Sequence, residues 1–178
     1  AEINSCGNLH PILKKSTNLY YSEYGGIYFN EGPKVKDNKI TKKEDLQSLT
    51  YKNNFFDLVL TSDTLEHIPD YRKGLREIYR VLKPRCYYIF TIPVITGRKT
   101  VDRVVVDSNG RVKDNLPESY HGLGEKDNLV YHEFGVDILN KLEEIGFEMK
   151  IYFYNIFVDN FSYIFVAKKS SKNKAAHV

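Results

Sequence analysis

Followed for its alternation of apolar and polar positions, the chain reads as short apolar runs separated by helical stripes. Strand-like runs occupy residues 1–4, 19–24, 56–61, 87–94, 149–157 and 161–168, rich in β-branched and aromatic residues and bounded by Gly, Asn, Asp or Pro. Several are apolar almost throughout, as strands covered on both faces tend to be. Over residues 70–83 the pattern changes period. Tyr71, Leu75, Ile78 and Leu82 fall on one helical face, while Arg72, Lys73, Arg76, Glu77 and Arg80 point away, as on a solvated surface. Asp70 can cap this helix and Pro84 ends it. Residues 133–145 repeat the stripe with Phe134, Ile138, Leu142 and Ile145, and Gly146 is a natural residue to end a helix. A weaker helix is expected over 9–15, and another starting near Lys43.

Strands and helices alternate as far as residue 145, after which come two strands with only "VDN" (158–160) between them. Parallel strands need a long crossover, so this last pair must be an antiparallel hairpin. The pattern predicts an α/β fold: a mostly parallel sheet, helices on both faces, and a C-terminal antiparallel hairpin at one edge. Residues 95–132 have weak periodicity, with "DSNGR" (107–111) reading as a turn. They exceed what a connection needs, which fits a lid or substrate loop. The organisation expected is one domain over 1–168 and a tail over 169–178.

Composition narrows the picture. At 178 residues the chain suits one domain with a sizeable core. No run approaches the roughly 18 apolar residues of a membrane span, and no secretory leader opens the sequence. A net charge of +3 is too slight to argue for nucleic acid. Cys6 and Cys86 make neither a disulfide framework nor a four-ligand metal site, so a reducing, cytoplasmic setting without a metal is the expectation. The Lys-rich "KKSSKNKAAHV" (168–178) reads as a solvated tail. The sequence opens "AEIN", without Met and directly in a strand, so helices that would precede that strand are expected to be missing.

In an open parallel sheet, ligands sit beyond the carboxyl ends of the strands, where strand order reverses. Those ends carry small polar or acidic residues: "SCGN" (5–8), "SEY" (22–24), "KEDLQSL" (43–49) and "TSD" (61–63). The segment "FDLVLTSDTLEHIPDYRKGLREIYRVLKP" (56–84) then joins a buried strand to a helix through a polar hinge holding Asp63, Glu66 and His67.

With "DLVLTSDTLEHIPD…EIYRVLKP" (57–84) and the closing "GFEMK…FSYIFVAKK", the chain resembles the class I S-adenosylmethionine-dependent methyltransferases of Rossmann-like fold, in their small-molecule branch. The resemblance runs from Glu2 to about Lys168. It implies S-adenosylmethionine as cofactor and methyl transfer to an oxygen or nitrogen of a small molecule or sugar, with neither nucleic acid nor membrane as partner. It puts Glu2, Asn4, Cys6 and Gly7 in the first-strand loop beneath the methionine part of the cofactor. Glu23, with Tyr24 next to it, would take the ribose hydroxyls. Asp45 would take the adenine amine, Leu46 a ring nitrogen through its backbone N–H, and Ser62 with Asp63 the amino-acid end. In that first loop only Gly7 remains of the family's glycines, and "KPRCYY" (83–88) stands where a Gly-Gly turn is usual.

Each assignment has a plainer counterpart. Asp45 can serve as a local cap, and Asp63 can cap the next turn of the chain. His67 is a candidate base or a histidine holding the turn before the helix by hydrogen bonds. His121 is the second candidate catalytic group, and His132 the weaker, since most loop histidines are solvated. Tyr20, Tyr21, Tyr24 and Tyr28 read as packing. Two alternatives stand beside methyl transfer: a methyltransferase-like module that binds cofactor or a partner without turnover, and a nicotinamide-dependent oxidoreductase. The latter wants G-x-G-x-x-G after the first strand, which is missing.

Overall fold

The structure is a computed structural model and describes residues 1–3, 9–13, 15, 19–23, 34–36, 39–120, 129–154 and 162–171. Five strands run parallel: β1 (Glu2–Ile3), β2 (Tyr20–Glu23), β4 (Lys39–Lys43), β5 (Phe56–Ser62) and β6 (Leu82–Thr91). An edge strand β3 (Lys34–Lys36) lies antiparallel on β4, and β11 (Phe147–Tyr154) with β12 (Ser162–Lys169) closes the far side as the expected hairpin. The order β11-β12-β6-β5-β1-β2-β4-β3 places the reversal at β1, with β5 on one side and β2 on the other.

Helix α2 (Tyr71–Val81) forms because Asp70 accepts from the Lys73 backbone N–H at 2.9 Å and because its apolar stripe is buried, with Tyr71, Leu75 and Ile78 each at most 1 % exposed. Together with α3 (Ile138–Ile145) it covers the sheet face carrying Ile3, Val59, Tyr88, Phe90 and Phe165. Tyr88 stacks on Phe90, and Phe90 on Phe165. Side chains alternate along a strand, so Glu2 faces the other way from Ile3. Its carboxylate meets His10 of the short helix α1 (His10–Leu13) at 2.6 Å on the opposite face.

Several sequence expectations shift. No helix starts near Lys43: "KITKK" pairs with β2 as strand β4, and Asp45 then turns the chain. The helix over 70–83 stops at Val81, because Leu82 is already extended at ψ 140° and Lys83, ahead of Pro84, is pushed the same way. The strand read over 87–94 therefore begins at Leu82, and its "PRC" turn sets Arg85 at φ 66°. The helix read from 133 starts at Ile138. Residues 132–133 instead form strand β10 (His132–Glu133) against β7 (Val101–Asp102), and a Cβ on Gly135 would lie 2.2 Å from the Arg98 carbonyl oxygen.

The 95–120 stretch folds on itself. Strand β8 (Val104–Val106) and strand β9 (Val112–Asp114) make a hairpin around the 107–111 turn. Arg98 and Arg103 both pair with Glu133, and Asp137 holds the Thr100 N–H at 2.7 Å.

Two basic groups are not the solvated ones expected. Lys169 is 6 % exposed and donates to the carbonyl oxygens of Tyr79 and Leu82, each at 2.7 Å, so it caps the C-terminal end of α2. Arg80 ties α2 to the preceding loop through the Leu49 and Tyr51 carbonyls.

Candidate active site

The parallel set β4-β2-β1-β5-β6 brings five carboxyl ends into one row. Glu23 is level with Lys43 on the neighbouring strand, so the tip of β2 and the Asp45 turn after β4 are adjacent. Ser62 is level with Thr91. Asn4, Cys6, Gly7, Tyr24 and His121 lie outside the described residues, as does the side chain of Glu23.

Along this rim, Glu2 is fully buried and held by His10. Asp45 is half-buried, and its Oδ1 accepts from the Gln47 backbone N–H at 2.8 Å, an Asx turn that fixes the corner after β4. The Leu46 side chain is in the core against Gly74 of α2, which leaves its backbone at the rim. Ser62 shares a hydrogen bond with the Thr91 hydroxyl at 3.0 Å. Asp63 is exposed, adopts φ 43°, and is fixed by Thr91, whose carbonyl accepts from its N–H at 3.1 Å.

A 3-10 turn over Leu65–His67 then leads to α2. The His67 Nδ1 lies 2.8 Å from the Leu129 carbonyl oxygen, which can only accept, so Nδ1 carries a proton and donates. In the neutral ring this puts the lone pair on Nε2, 3.9 Å from Glu66 Oε1. The Glu66 carbonyl also receives the Tyr131 N–H at 2.7 Å, so the returning arm of the 95–132 segment is laced onto this turn. Burial pushes the Glu66 carboxyl up to about 8. Its own backbone N–H opposes this, and the Asp63 charge adds to it.

His132 is 3 % exposed rather than solvated. Its Nδ1 meets Asp102 at 2.8 Å and its Nε2 meets the Ile68 and Pro69 carbonyls at 3.0 Å, clasping β7 to the end of the 3-10 turn. Thr91, Glu66 and His132 thus hold structural places that the sequence alone does not assign to them. Glu66 carried a signal as part of the polar hinge and His132 as a weak catalytic candidate, whereas Thr91 carried none. Among the described residues no group of three or more His, Cys, Asp or Glu is placed to hold a metal, and no helix is long and apolar enough to cross a membrane.

Known proteins share this architecture. An S-adenosylmethionine-dependent methyltransferase from Mesorhizobium loti superposes with a TM-score of 0.59 at 15% identity, covering 94% of this chain and 89% of its own. A SAM-dependent methyltransferase from Methanosarcina mazei gives 0.57 at 16%, over 96% and 92%. This chain has the class I S-adenosylmethionine-dependent methyltransferase fold.

Residues 28–90 match the methyltransferase domain family, a stretch that takes in the 57–84 segment. The methyltransferase fold extends to a 1,6-didemethyltoxoflavin-N1-methyltransferase from Burkholderia thailandensis, solved with S-adenosylhomocysteine, at TM-score 0.54 and 15% identity over 85% of this chain and 60% of that one. In sequence, the chain is 36% identical over 85 residues to a demethylmenaquinone methyltransferase of Corynebacterium urealyticum, covering 44% of this chain and 37% of that protein. It is 27% identical over 114 residues to the ubiquinone/menaquinone biosynthesis C-methyltransferase UbiE of Vibrio cholerae, 60% of this chain and 43% of that one. The chain therefore spans less than half the length of these curated relatives.

Proposed function

We propose that this chain binds S-adenosylmethionine along the carboxyl rim of β4, β2, β1 and β5 and transfers the methyl group to an oxygen or nitrogen of a small molecule or sugar. The observation that carries the reading is the row of acids and hydroxyls at the tips of mutually parallel strands, where strand order reverses, in a chain with the methyltransferase fold.

The chemistry of that row suits the group. Glu23 accepts from the ribose hydroxyls, with Tyr24 beside it, and Asp45 accepts from the adenine amine. Leu46, whose side chain belongs to the core, offers its backbone N–H. Glu2, Asn4, Cys6 and Gly7 shape the loop under the methionine part, and Ser62 and Asp63 border its amino-acid end. Bound, the cofactor supplies a methyl made electrophilic by a sulfonium. The protein's share is alignment of the acceptor, with His67 Nε2 taking its proton and His121 as the second candidate for that role. The curated relatives are named as quinone methyltransferases, UbiE as a C-methyltransferase, which favours carbon as the second reading of the acceptor atom.

Titration calorimetry with S-adenosylmethionine and with its demethylated product tests the proposal. Both are expected to bind, and Glu23→Ala and Asp45→Ala are each expected to weaken binding by about 1–3 kcal/mol, the size of a lost charged hydrogen bond. No heat at millimolar cofactor overturns the reading in favour of a module without turnover.

A further inference from the structure

Glu66 is 1 % exposed, yet among the described residues neither of its carboxyl oxygens has a hydrogen-bond partner. Buried polar groups are bonded in the great majority of cases, so an unpaired one requires a cause. The other two buried glutamates among the described residues are satisfied: Glu2 by His10, and Glu44 by the backbone N–H and hydroxyl of Thr50. Among the described residues, the charged and titratable groups around Glu66 are His67, with Nε2 at 3.9 Å, and Asp63, whose charge reaches it. Those on the adjoining elements are directed elsewhere. His132 faces Asp102 and two carbonyls, Glu133 faces Arg98 and Arg103, Arg72 faces Asp102, and Asp70 caps α2.

The His67 ring cannot turn its Nε2 away without breaking the Nδ1–Leu129 bond. One carboxyl and one imidazole nitrogen are therefore held facing each other at the end of β5.

We propose that Glu66 and His67 hold one exchangeable proton between them, with Glu66 as the positioning residue that sets the proton affinity of His67 Nε2. This rests on His67 being the base of the proposed methyl transfer. In that step the acceptor's O–H or N–H bond breaks and its proton moves to Nε2. The freed electron pair forms the bond to the methyl carbon, and the carbon–sulfur pair withdraws onto sulfur. The imidazolium now beside Glu66 favours a carboxylate there, so Glu66 releases its own proton to solvent and an ion pair remains.

The test tracks the His67 ring and the Glu66 carboxyl carbon by NMR across pH, in the wild type and in Glu66→Gln, a near-isosteric change. Coupled groups titrate as a pair. The wild-type His67 signal is expected to show two inflections, the second coinciding with that of Glu66. In Glu66→Gln a single inflection should remain, displaced by about one pH unit. Superimposable His67 curves in the two proteins, or a Glu66 carbon titrating in the ordinary carboxylate range, overturn the proposal. Calorimetry with S-adenosylmethionine on both proteins separates the two readings. Coupling without cofactor binding removes the methyltransferase role and keeps the pair, whereas cofactor binding without coupling removes the pair alone.

Discussion

Two turns at the carboxyl end of the sheet are built from nearly the same parts and behave differently. The turn after β4 carries Glu44 and Asp45, and the turn after β5 carries Asp63 and Glu66. In each, an aspartate bends the chain and a glutamate is buried, to 2 % exposure for Glu44 and 1 % for Glu66. Glu44 closes its own loop, accepting the Thr50 N–H at 2.8 Å and the Thr50 hydroxyl at 2.6 Å. Glu66 closes nothing. A buried carboxylate with bonded oxygens is a structural element, whereas one without them destabilises its own charged form and is worth keeping only for its proton.

The largest effect expected from this contrast is on stability against pH. The folded-state value for Glu66 is raised from 4.5 to about 8, so between those limits the folded protein keeps a proton that the unfolded chain has released. Unfolding free energy therefore falls as pH rises through that window, at about 1.4 kcal/mol per pH unit and on the order of 5 kcal/mol in all. Below pH 4.5 both states are protonated and the contribution is flat. Denaturant unfolding at about pH 5, 6.5 and 8 should show Glu66→Gln gaining on the wild type at each step. Parallel curves would mean that the Glu66 charge is satisfied after all.

A smaller loss, of about 2 kcal/mol, is expected for Glu44→Gln, because a neutral amide replaces the charged acceptor of the Thr50 N–H and hydroxyl. The loss should appear in denaturant unfolding at neutral pH. If Glu44→Gln were neutral and Glu66→Gln destabilising, the assignment of structural and protonic roles to the two turns would be reversed.

The two turns also differ in how far the sequence exposes them. The Asx turn of Asp45 is local, completed two residues on by Gln47, and so is the cap from Asp70 to Lys73. The apolar runs of β5 and β12 and the α2 stripe were legible for the same reason, since their periodicity reports burial directly. The β3–β4 pair was not. Its residues, "KVK" and "KITKK", are mostly lysine, a composition that an edge position tolerates and that no apolar pattern announces. Glu66 was visible as a polar residue in a hinge, but its turn is held by Leu129 and Tyr131, more than sixty residues away, through His67 and the Glu66 carbonyl. The same distance hid the His132 clasp and the burial of Lys169 against the end of α2. Contacts between neighbours in sequence could be read from the chain, and those brought back from afar could not.

Asp63→Asn gives the finest test of the second turn. Asp63 sits at φ 43°, and Asn tolerates that left-handed conformation well, so the corner and its backbone bond to Thr91 should survive. What is lost is a like charge acting on Glu66, while the amide oxygen can still accept from the Ser62 or Thr91 hydroxyl. Removing it eases ionisation of the buried carboxyl, so the alkaline end of the stability loss should move to lower pH. Asp63 is exposed and solvent screens it, which keeps the gain at about pH 8 below about 1 kcal/mol. The change should vanish when Asp63→Asn is made on the Glu66→Gln background. A gain of equal size on both backgrounds would show that Asp63 acts on the turn itself and not through the Glu66 proton.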